Sequence, residues 1–172
     1  MKRTMVAVIA LAVMLLPALA RAQKVDTDFD PAVDFSKFKT YAWTTGTPSP
    51  NPIGEQRIQD AVNKALQAKG MKLVTANPDL VVATHAVAKE QKELISTGYG
   101  GPYRWGGGMG TTSVNTYVQG TLAVDLYDAQ TKKLAWRGVG SDTMSDKAEK
   151  NAEKVNKAVE KMFKTYPPNT KK

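Results

Sequence analysis

The chain has 172 residues, of which 42% are apolar, no cysteine, and a formal net charge of +8. The lack of cysteine excludes a disulfide-stapled mini-protein, a thiolate metal site and a cysteine nucleophile. Apolar residues are spread along the chain except at its N-terminus, which excludes a polytopic membrane protein and a disordered chain. A single globular domain is therefore expected.

The first 22 residues have the layout of a secretory signal peptide. Two basic residues precede an apolar stretch from Met5 to Leu16, and the segment ends in the small-residue pattern Ala20-Arg21-Ala22. A retained membrane anchor is the alternative, but a spanning helix needs about 20 apolar residues and this stretch is shorter. We therefore expect cleavage after Ala22, with residues 23–172 folding in the periplasm or outside the cell.

Cleavage would remove three basic residues and no acidic one, which lowers the net charge from +8 to +5. Such a moderate excess favours weak contact with anionic surfaces, such as lipid headgroups or acidic glycans. Nucleic acid is not an expected partner, because no basic run interleaves with spaced aromatic residues. No second apolar stretch is long enough to suggest a transmembrane segment in the cleaved chain.

Strand and helix signals alternate in the first part of the cleaved chain. Lys24 to Asp30 alternate polar and apolar residues, which predicts a strand, and the β-prone residues Thr40 to Trp43 predict a second one. Residues 44–52 are rich in proline and predict a loop. Apolar residues at helical spacing from Ile58 to Leu66 predict the first helix, with Gly70 at its C-terminal cap.

Two more strands and a glycine-rich segment follow. Met71 to Val74 and Leu80 to Val87 are the strand candidates, and the second is apolar on both faces, as in the middle of a sheet. Residues 96–115 then include seven of the 13 glycines, all between Gly98 and Gly110. Glycine at this density makes ordering entropically costly, so a mobile loop is predicted over 96–115.

The chain ends in a predicted hairpin and a second helix. Thr121 to Tyr127 and Leu134 to Val139 flank a run of turn residues, which predicts two paired strands. Apolar positions from Ala148 to Tyr166 predict a helix, with Ser145 or Asp146 as its N-cap. The order β-β-α-β-β-loop-β-β-α predicts an α+β fold, a two-layer sandwich in which two amphipathic helices cover a mainly antiparallel sheet.

Several of these stretches together resemble one known family. They are the alternating start Val25 to Asp30, the segment Asp34 to Trp43, the turn Asn77-Pro78-Asp79, the glycine-rich loop, and Gly120 to Ala129 with Leu134 to Gly138. In this pattern the chain resembles the bacterial envelope family catalogued as domain of unknown function 4136. The resemblance covers nearly the whole cleaved chain and implies an α+β envelope domain without assigned catalytic residues. Members are mostly predicted lipoproteins, whereas this sequence has no cysteine to acylate, so no lipid anchor is expected.

The glycine-rich loop carries the candidate binding residues. Tyr99, Tyr103, Arg104 and Trp105 combine aromatic rings with a guanidinium group, which are the side chains that most often anchor interfaces. They are candidates for binding an envelope protein or a glycan. The alternative is that their rings fold back over the sheet of their own domain.

Patterns that would indicate catalysis are missing. His85 is the single histidine and lies in an apolar strand, where a structural hydrogen bond is more common than a general base. The sequence contains no nucleophile elbow, phosphate-binding loop or dinucleotide motif, and one histidine is too few for a histidine-rich zinc site. We therefore predict no catalytic residue, no cofactor and no metal, and favour a non-catalytic binding or scaffold domain of the cell envelope.

The alternative function is a hydrolase that acts on an envelope polymer. It depends on the acidic residues Asp26, Asp28, Asp30 and Asp34. Aspartates that alternate along one strand lie side by side, whereas glycosidases hold two carboxylates on opposite sides of the bond that is cleaved. The same run lacks the glycine and the glutamate that shape a calcium-binding loop.

Overall fold

The computed structural model describes residues 23–98 and 110–169. These residues form a six-stranded sheet with two α-helices packed on one face, so the predicted two-layer α+β sandwich is confirmed. The strands are β1 Lys24–Phe29, β2 Thr40–Trp43, β3 Lys72–Leu73, β4 Leu80–Gly98, β5 Gly110–Asp128 and β6 Leu134–Thr143, and the helices are α1 Pro52–Ala68 and α2 Ala148–Lys164.

The strands are arranged in the order β1-β6-β5-β4-β2-β3. The first four of these pair antiparallel, and the pair of β5 and β6 is the hairpin predicted from the sequence. β2 runs parallel to both β3 and β4. The parallel pairs arise because α1 follows β2, and a crossover through a helix returns the chain in its original direction.

Both ends of α1 follow from its sequence. The Asn51 side chain accepts hydrogen bonds from the N–H groups of Ile53 (3.0 Å) and Gly54 (3.3 Å), which caps the helix at its N-terminus. At the other end Gly70 has a φ of +82°, the left-handed conformation that glycine adopts without strain. The N–H of Met71 then reaches back to the carbonyl of Leu66 at 3.1 Å, so the predicted glycine cap is present.

The start of α2 differs from the prediction. Neither Ser145 nor Asp146 is the N-cap; that position belongs to Lys147, whose side chain makes no capping hydrogen bond. Instead the Asn151 side chain, inside the first turn of the helix, accepts from the Ser145 N–H (2.8 Å) and donates to the Ser145 carbonyl (2.7 Å). The chain entering the helix is therefore held from within the helix rather than by the residue before it.

Aromatic rings form the centre of the core between the helices and the sheet. Trp136 of β6 contacts Phe163 of α2, with ring centroids 4.9 Å apart, and Tyr166 beyond the helix, at 5.6 Å. Gly138 lets the helix approach this closely, because a Cβ there would lie 2.6 Å from the Trp136 ring and 3.0 Å from the Cβ of Met162. The helical stripe predicted from Ala148 to Tyr166 therefore does face the sheet.

The turn Asn77-Pro78-Asp79 joins the first residues of β2 and β4. The Asp79 carboxylate accepts hydrogen bonds from the N–H groups of Lys39 and Thr40 and from the Thr40 hydroxyl, each at 2.8 Å. These bonds, that from the Lys39 backbone first, hold the pKa of Asp79 below its usual range. This motif of the sequence thus has a structural role in aligning the two parallel strands.

The predicted loop over 96–115 is too long at both ends. Residues 96–98 belong to β4 and residues 110–115 to β5, and they pair with one another up to Gly98 opposite Gly110. Cross-strand hydrogen bonds satisfy the backbone groups there, which offsets the entropic cost of ordering glycine. Residues 99–109 lie outside the described residues.

The predicted signal peptide, residues 1–22, also lies outside the described residues. Gln23, the first described residue, is tied to α2 by a hydrogen bond from its side-chain amide to the carbonyl of Lys154 at 2.7 Å. Among residues 23–98 and 110–169, no helix is both long enough and apolar enough to span a membrane.

Gly46 permits the loop after β2 to lie against β4. A Cβ at this position would be 2.0 Å from the backbone oxygen of Thr84, which cannot move without disturbing the strand. We expect Gly46→Ala to lower the free energy of unfolding by about 1–3 kcal/mol, as overpacking of a tight contact does. Urea unfolding followed by circular dichroism measures this loss.

Gly54→Ala is the matched control for that measurement. A Cβ on Gly54 would meet the Ser49 hydroxyl at 3.1 Å, a side-chain atom that can rotate away, and alanine is the better helix former. This variant should be neutral or slightly more stable. Equal losses in the two variants would contradict the contact assigned to Gly46.

Candidate functional site

β4 and β5 continue far beyond the rest of the sheet. They pair without interruption from Leu80 opposite Asp128 to Gly98 opposite Gly110. β6 accompanies β5 only as far as Gln119, and β2 together with the loop after it accompanies β4 only as far as Ala86. Residues 89–98 and 110–118 therefore form a two-stranded extension, which we call the ribbon.

The ribbon carries apolar side chains that its own domain does not cover. Leu94 is 69% exposed, and Val114, directly opposite in the neighbouring strand, is 58% exposed. Ile95 on the other face is 45% exposed. An isolated pair of strands is marginally stable in water, and clustered exposed apolar groups commonly mark a contact surface.

The four predicted binding residues lie outside the described residues. Tyr99, Tyr103, Arg104 and Trp105 all belong to the segment 99–109, so the structure does not test their role. The described strands do fix where that segment starts and ends. Gly98 and Gly110 pair with each other, which places both ends of the segment together at the far end of the ribbon.

A polar cluster on the helix-free face of the sheet was not predicted. Asp125 lies between two core residues of β5, is fully buried, and points away from the helices. Arg137 of β6 donates to both of its oxygens, from Nε at 2.6 Å and from Nη2 at 2.5 Å. The Tyr127 hydroxyl donates to the same carboxylate at 3.2 Å, and the Nε2 atom of His85 lies 3.5 Å from it.

The pKa values of two members reflect this arrangement. The hydrogen bonds from Arg137 to the Asp125 carboxylate raise the pKa of the guanidinium further above its usual value. Burial raises the pKa of the Tyr127 phenol, and the negative charge of Asp125 adds to that effect. Arg137 therefore carries a positive charge and Tyr127 a proton at neutral pH, which are the forms that bind a carboxylate best.

Thr47, His85 and Asp125 lie next to one another in the order hydroxyl, imidazole, carboxylate, which is the arrangement of a catalytic triad. The Thr47 hydroxyl lies 3.0 Å from His85 Nδ1, and Nε2 of the same ring faces Asp125. However, Nδ1 already accepts the backbone N–H of Thr47 at 3.2 Å, so its lone pair is engaged. The geometry instead favours a structural role for His85, as predicted, in which the imidazole links the loop after β2 to the sheet.

The acidic residues on which the hydrolase alternative depends accept hydrogen bonds from nearby backbone groups. Asp26 and Asp28 accept the N–H of the next residue, and Asp30 accepts that of Ala32. Asp34 caps a 3-10 helix, and its bonds from Ser36 hold its pKa below the usual range. A general acid needs a raised pKa, so Asp34 is poorly suited to that role.

The described residues contain no group of three or more histidine, cysteine, aspartate or glutamate side chains arranged to hold a metal ion. They do contain a cleft of about 290 Å³ between the first turns of both helices and the sheet. Its lining is mainly apolar and includes Ile58, Leu122 and Val155. This volume is at the lower limit of typical small-ligand pockets.

Comparison with known families gives a direct assignment. The sequence model described as "Domain of unknown function (DUF4136)" matches residues 25–168. The chain belongs to the DUF4136 family. The predicted resemblance to this family is thereby confirmed, and no curated protein sequence matches the chain.

Two of the solved structures that match this chain show the same fold. A PDZ domain protein from Parabacteroides distasonis has a TM-score of 0.59 and 18% identity, over 84% of this chain and 35% of the other. The PelC dodecamer from Paraburkholderia phytofirmans has a TM-score of 0.51 and 14% identity, over 83% and 95%. This DUF4136 chain thus spans about a third of the PDZ domain protein. At these identities the likeness establishes the fold alone.

The sequence contains a partial signal for the Asp125 cluster. A regular hairpin with Tyr127 opposite Leu134 would set Asp125 opposite Trp136, whereas a register shift between Leu126 and Tyr127 sets it opposite Arg137. An acidic residue in the middle of an apolar strand needs a partner when buried. The sequence therefore indicates that Asp125 needs a partner, but the register shift that makes Arg137 this partner is decided by the tertiary structure.

Asp125 is fully buried, whereas the Arg137 side chain is 44% exposed. Replacing Arg137 should therefore destabilise the fold more than replacing Asp125 does. Arg137→Met would leave a buried carboxylate without its counter-charge, and we expect a loss of about 3 kcal/mol in the free energy of unfolding. Asp125→Asn leaves a guanidinium that water can solvate, so about 1 kcal/mol is expected. Urea unfolding at pH 7 compares the two.

The double variant Asp125→Asn/Arg137→Met provides the control. It should be more stable than Arg137→Met alone, because no unpaired buried charge remains. An Arg137→Met loss no larger than that of Asp125→Asn would refute this account of the cluster.

Proposed function

We propose that this DUF4136 protein is an exported, non-catalytic binding domain of the cell envelope. Its binding element would be the ribbon together with the segment 99–109 that joins its two strands. The observation that supports this proposal is the ribbon itself, a paired extension with exposed Leu94 and Val114 that contributes nothing to the core under the helices. An extension that adds little to stability is typical of a surface used for recognition.

The chemistry of the segment agrees with such a role. Tyr99, Tyr103 and Trp105 offer rings that stack on sugars or pack against apolar side chains, and Arg104 adds a planar cation. We propose an envelope protein or a glycan as the partner, with weak attraction to anionic surfaces from the net positive charge. The neighbour PelC forms a dodecamer, so the same fold takes part in an assembly in another protein.

Replacement of the segment tests the proposal. We expect a variant in which Asn-Gly replaces residues 99–109 to fold normally, because that dipeptide forms the tight turn that two paired strands require. In-cell crosslinking followed by mass spectrometry should detect a discrete partner for the full protein and lose it for this variant. An unchanged set of crosslinked partners would contradict the proposal.

Two variants of unchanged length separate chemistry from shape in the same experiment. One replaces Tyr99, Tyr103, Arg104 and Trp105 by serine and should lose the partner. The other replaces Gly106, Gly107 and Gly108 by serine, retains the aromatic and cationic side chains, and should keep it. If both variants behave alike, these four side chains are not the binding residues.

Export is the second part of the proposal and has its own measurement. Fractionation of cells that make the full chain, with mass spectrometry of the N-terminus, should find a periplasmic or secreted protein that begins at Gln23. Cleavage there would leave the domain intact, since the Gln23 side chain bonds α2 and no element precedes it among the described residues. A cytoplasmic protein that retains residues 1–22 would refute export.

A further inference from the structure

The outer edge of β4 is open along the ribbon. On its inner edge β4 pairs with β5 throughout its length. Its outer edge is occupied at first by β2 and then by the loop after it, where the N–H of Ala86 donates to the Thr47 carbonyl at 2.9 Å. From Val87 onward no strand among the described residues pairs with this edge. A free edge is a template for pairing with another strand.

The charges along this edge are self-complementary. The sequence Lys89-Glu90-Gln91-Lys92-Glu93 reads as opposite charges when it meets itself in reverse. Antiparallel pairing about Gln91 sets each lysine opposite a glutamate, Lys89 with Glu93 and Glu90 with Lys92. Opposite charges directly across paired strands are stabilising, and like charges are destabilising.

The apolar residues that flank the charges match in the same way. The same pairing sets Val87 opposite Ile95 and Ala88 opposite Leu94. Val87 is 43% exposed and Ile95 is 45% exposed, and both lie on the helix-free face of their strand. Two symmetric copies of each contact would therefore cover the apolar groups that the domain leaves open.

The backbone permits this register. On the outer edge the carbonyls of Val82 and Thr84 accept hydrogen bonds and the N–H of Ala86 donates one, so even-numbered residues direct their backbone groups outward. Pairing about Gln91 sets even residues opposite even residues, so Glu90 and Lys92 of two copies would exchange both of their hydrogen bonds. A slip by one residue would set even-numbered residues opposite odd-numbered ones, whose backbone N–H and C=O groups point inward to β5, so these hydrogen bonds would not form.

Other registers lose the match of charges. Centring the pair on Glu90 or on Lys92 sets that residue against its own copy and leaves every other charge opposite an uncharged residue. A parallel pair in register sets every charge against itself. The opposite edge of the ribbon, residues 112–118 of β5, has no charged residue to specify a register.

We propose that this protein forms a two-fold symmetric dimer in which the outer edges of β4 from two copies pair antiparallel about Gln91. The pair converts two marginal two-stranded ribbons into one four-stranded sheet. The segment of β4 that pairs between the two copies cannot begin before residue 87, because Thr47 occupies the outer edge of β4 as far as Ala86. The proposal goes beyond the proposed function, since it does not depend on residues 99–109 or on their partner.

Charge exchange tests the register in the full cleaved chain. Sedimentation velocity over a range of concentrations should find a dimer. Glu90→Lys or Lys92→Glu alone should weaken it by roughly tenfold, because two symmetric cross-strand pairs change from attraction to repulsion. Glu90→Lys/Lys92→Glu restores opposite charges and should restore the dimer. All of these side chains are exposed, so circular dichroism should find the fold unchanged.

A crosslink tests the position of the axis. The sequence has no cysteine, so Gln91→Cys introduces a single thiol at the centre of the pair, where opposite Cβ atoms lie about 4.5–5.5 Å apart. Mild oxidation should link two Gln91→Cys chains. Tyr117→Cys is the matched control, since Tyr117 pairs with Gln91 across the ribbon but belongs to β5, and it should not link.

Three outcomes would overturn the proposal. They are a monomer at all concentrations, a dimer that neither single charge reversal weakens, and a Tyr117→Cys crosslink as efficient as that of Gln91→Cys. Because these variants leave residues 99–109 unchanged, loss of the dimer with retention of the envelope partner would separate this proposal from the proposed function.

Discussion

The difference in length between the helices and the central strands governs this structure. Each helix has 17 residues and is therefore about 25 Å long, whereas β4 and β5 have 19 residues each and span about 60 Å. One layer of two helices cannot cover strands of that length. The hydrophobic core forms where the layers overlap, and the remainder of the two strands extends as the ribbon.

The uncovered face of the sheet is stabilised by different means. An antiparallel sheet tolerates water on one face, but its middle strands still need their polar groups satisfied. Asp125 meets this need through Arg137 and Tyr127, and His85 connects the same cluster to the loop after β2. The cluster therefore holds three strands and a loop together on the face that lacks helices.

The ribbon offers two surfaces that need not compete. Its far end carries the segment rich in aromatic residues, while its outer edge lies along the side of β4. The binding proposed for the end would use side chains, whereas the pairing proposed for the edge would use backbone groups whose register is selected by charge. A symmetric pair of domains would present two far ends, and two linked binding sites in general bind a repetitive partner more tightly than one.

The sequence by itself determined the local elements. Periodicity and turn residues located both helices, part of every strand, the glycine cap of α1 and the hairpin of β5 and β6, because each depends on neighbours in the chain. The pattern of motifs also determined the family, and with it the α+β class. Only the tertiary structure decided the full length of β4 and β5, since glycine composition predicts a loop unless a partner strand supplies hydrogen bonds.

Contacts between residues that are not neighbours in the chain also explain the other differences between the predicted and the observed structure. Asn151 replaces the expected cap of α2 because it reaches back across a full turn to Ser145. The burial of Asp125 and the parallel course of β2 beside β4 both depend on residues distant in sequence. The local spacing of residues indicates which segments can form a helix or a strand. Packing between distant segments decides which strands pair, and this pairing produces the ribbon and the open edge of β4.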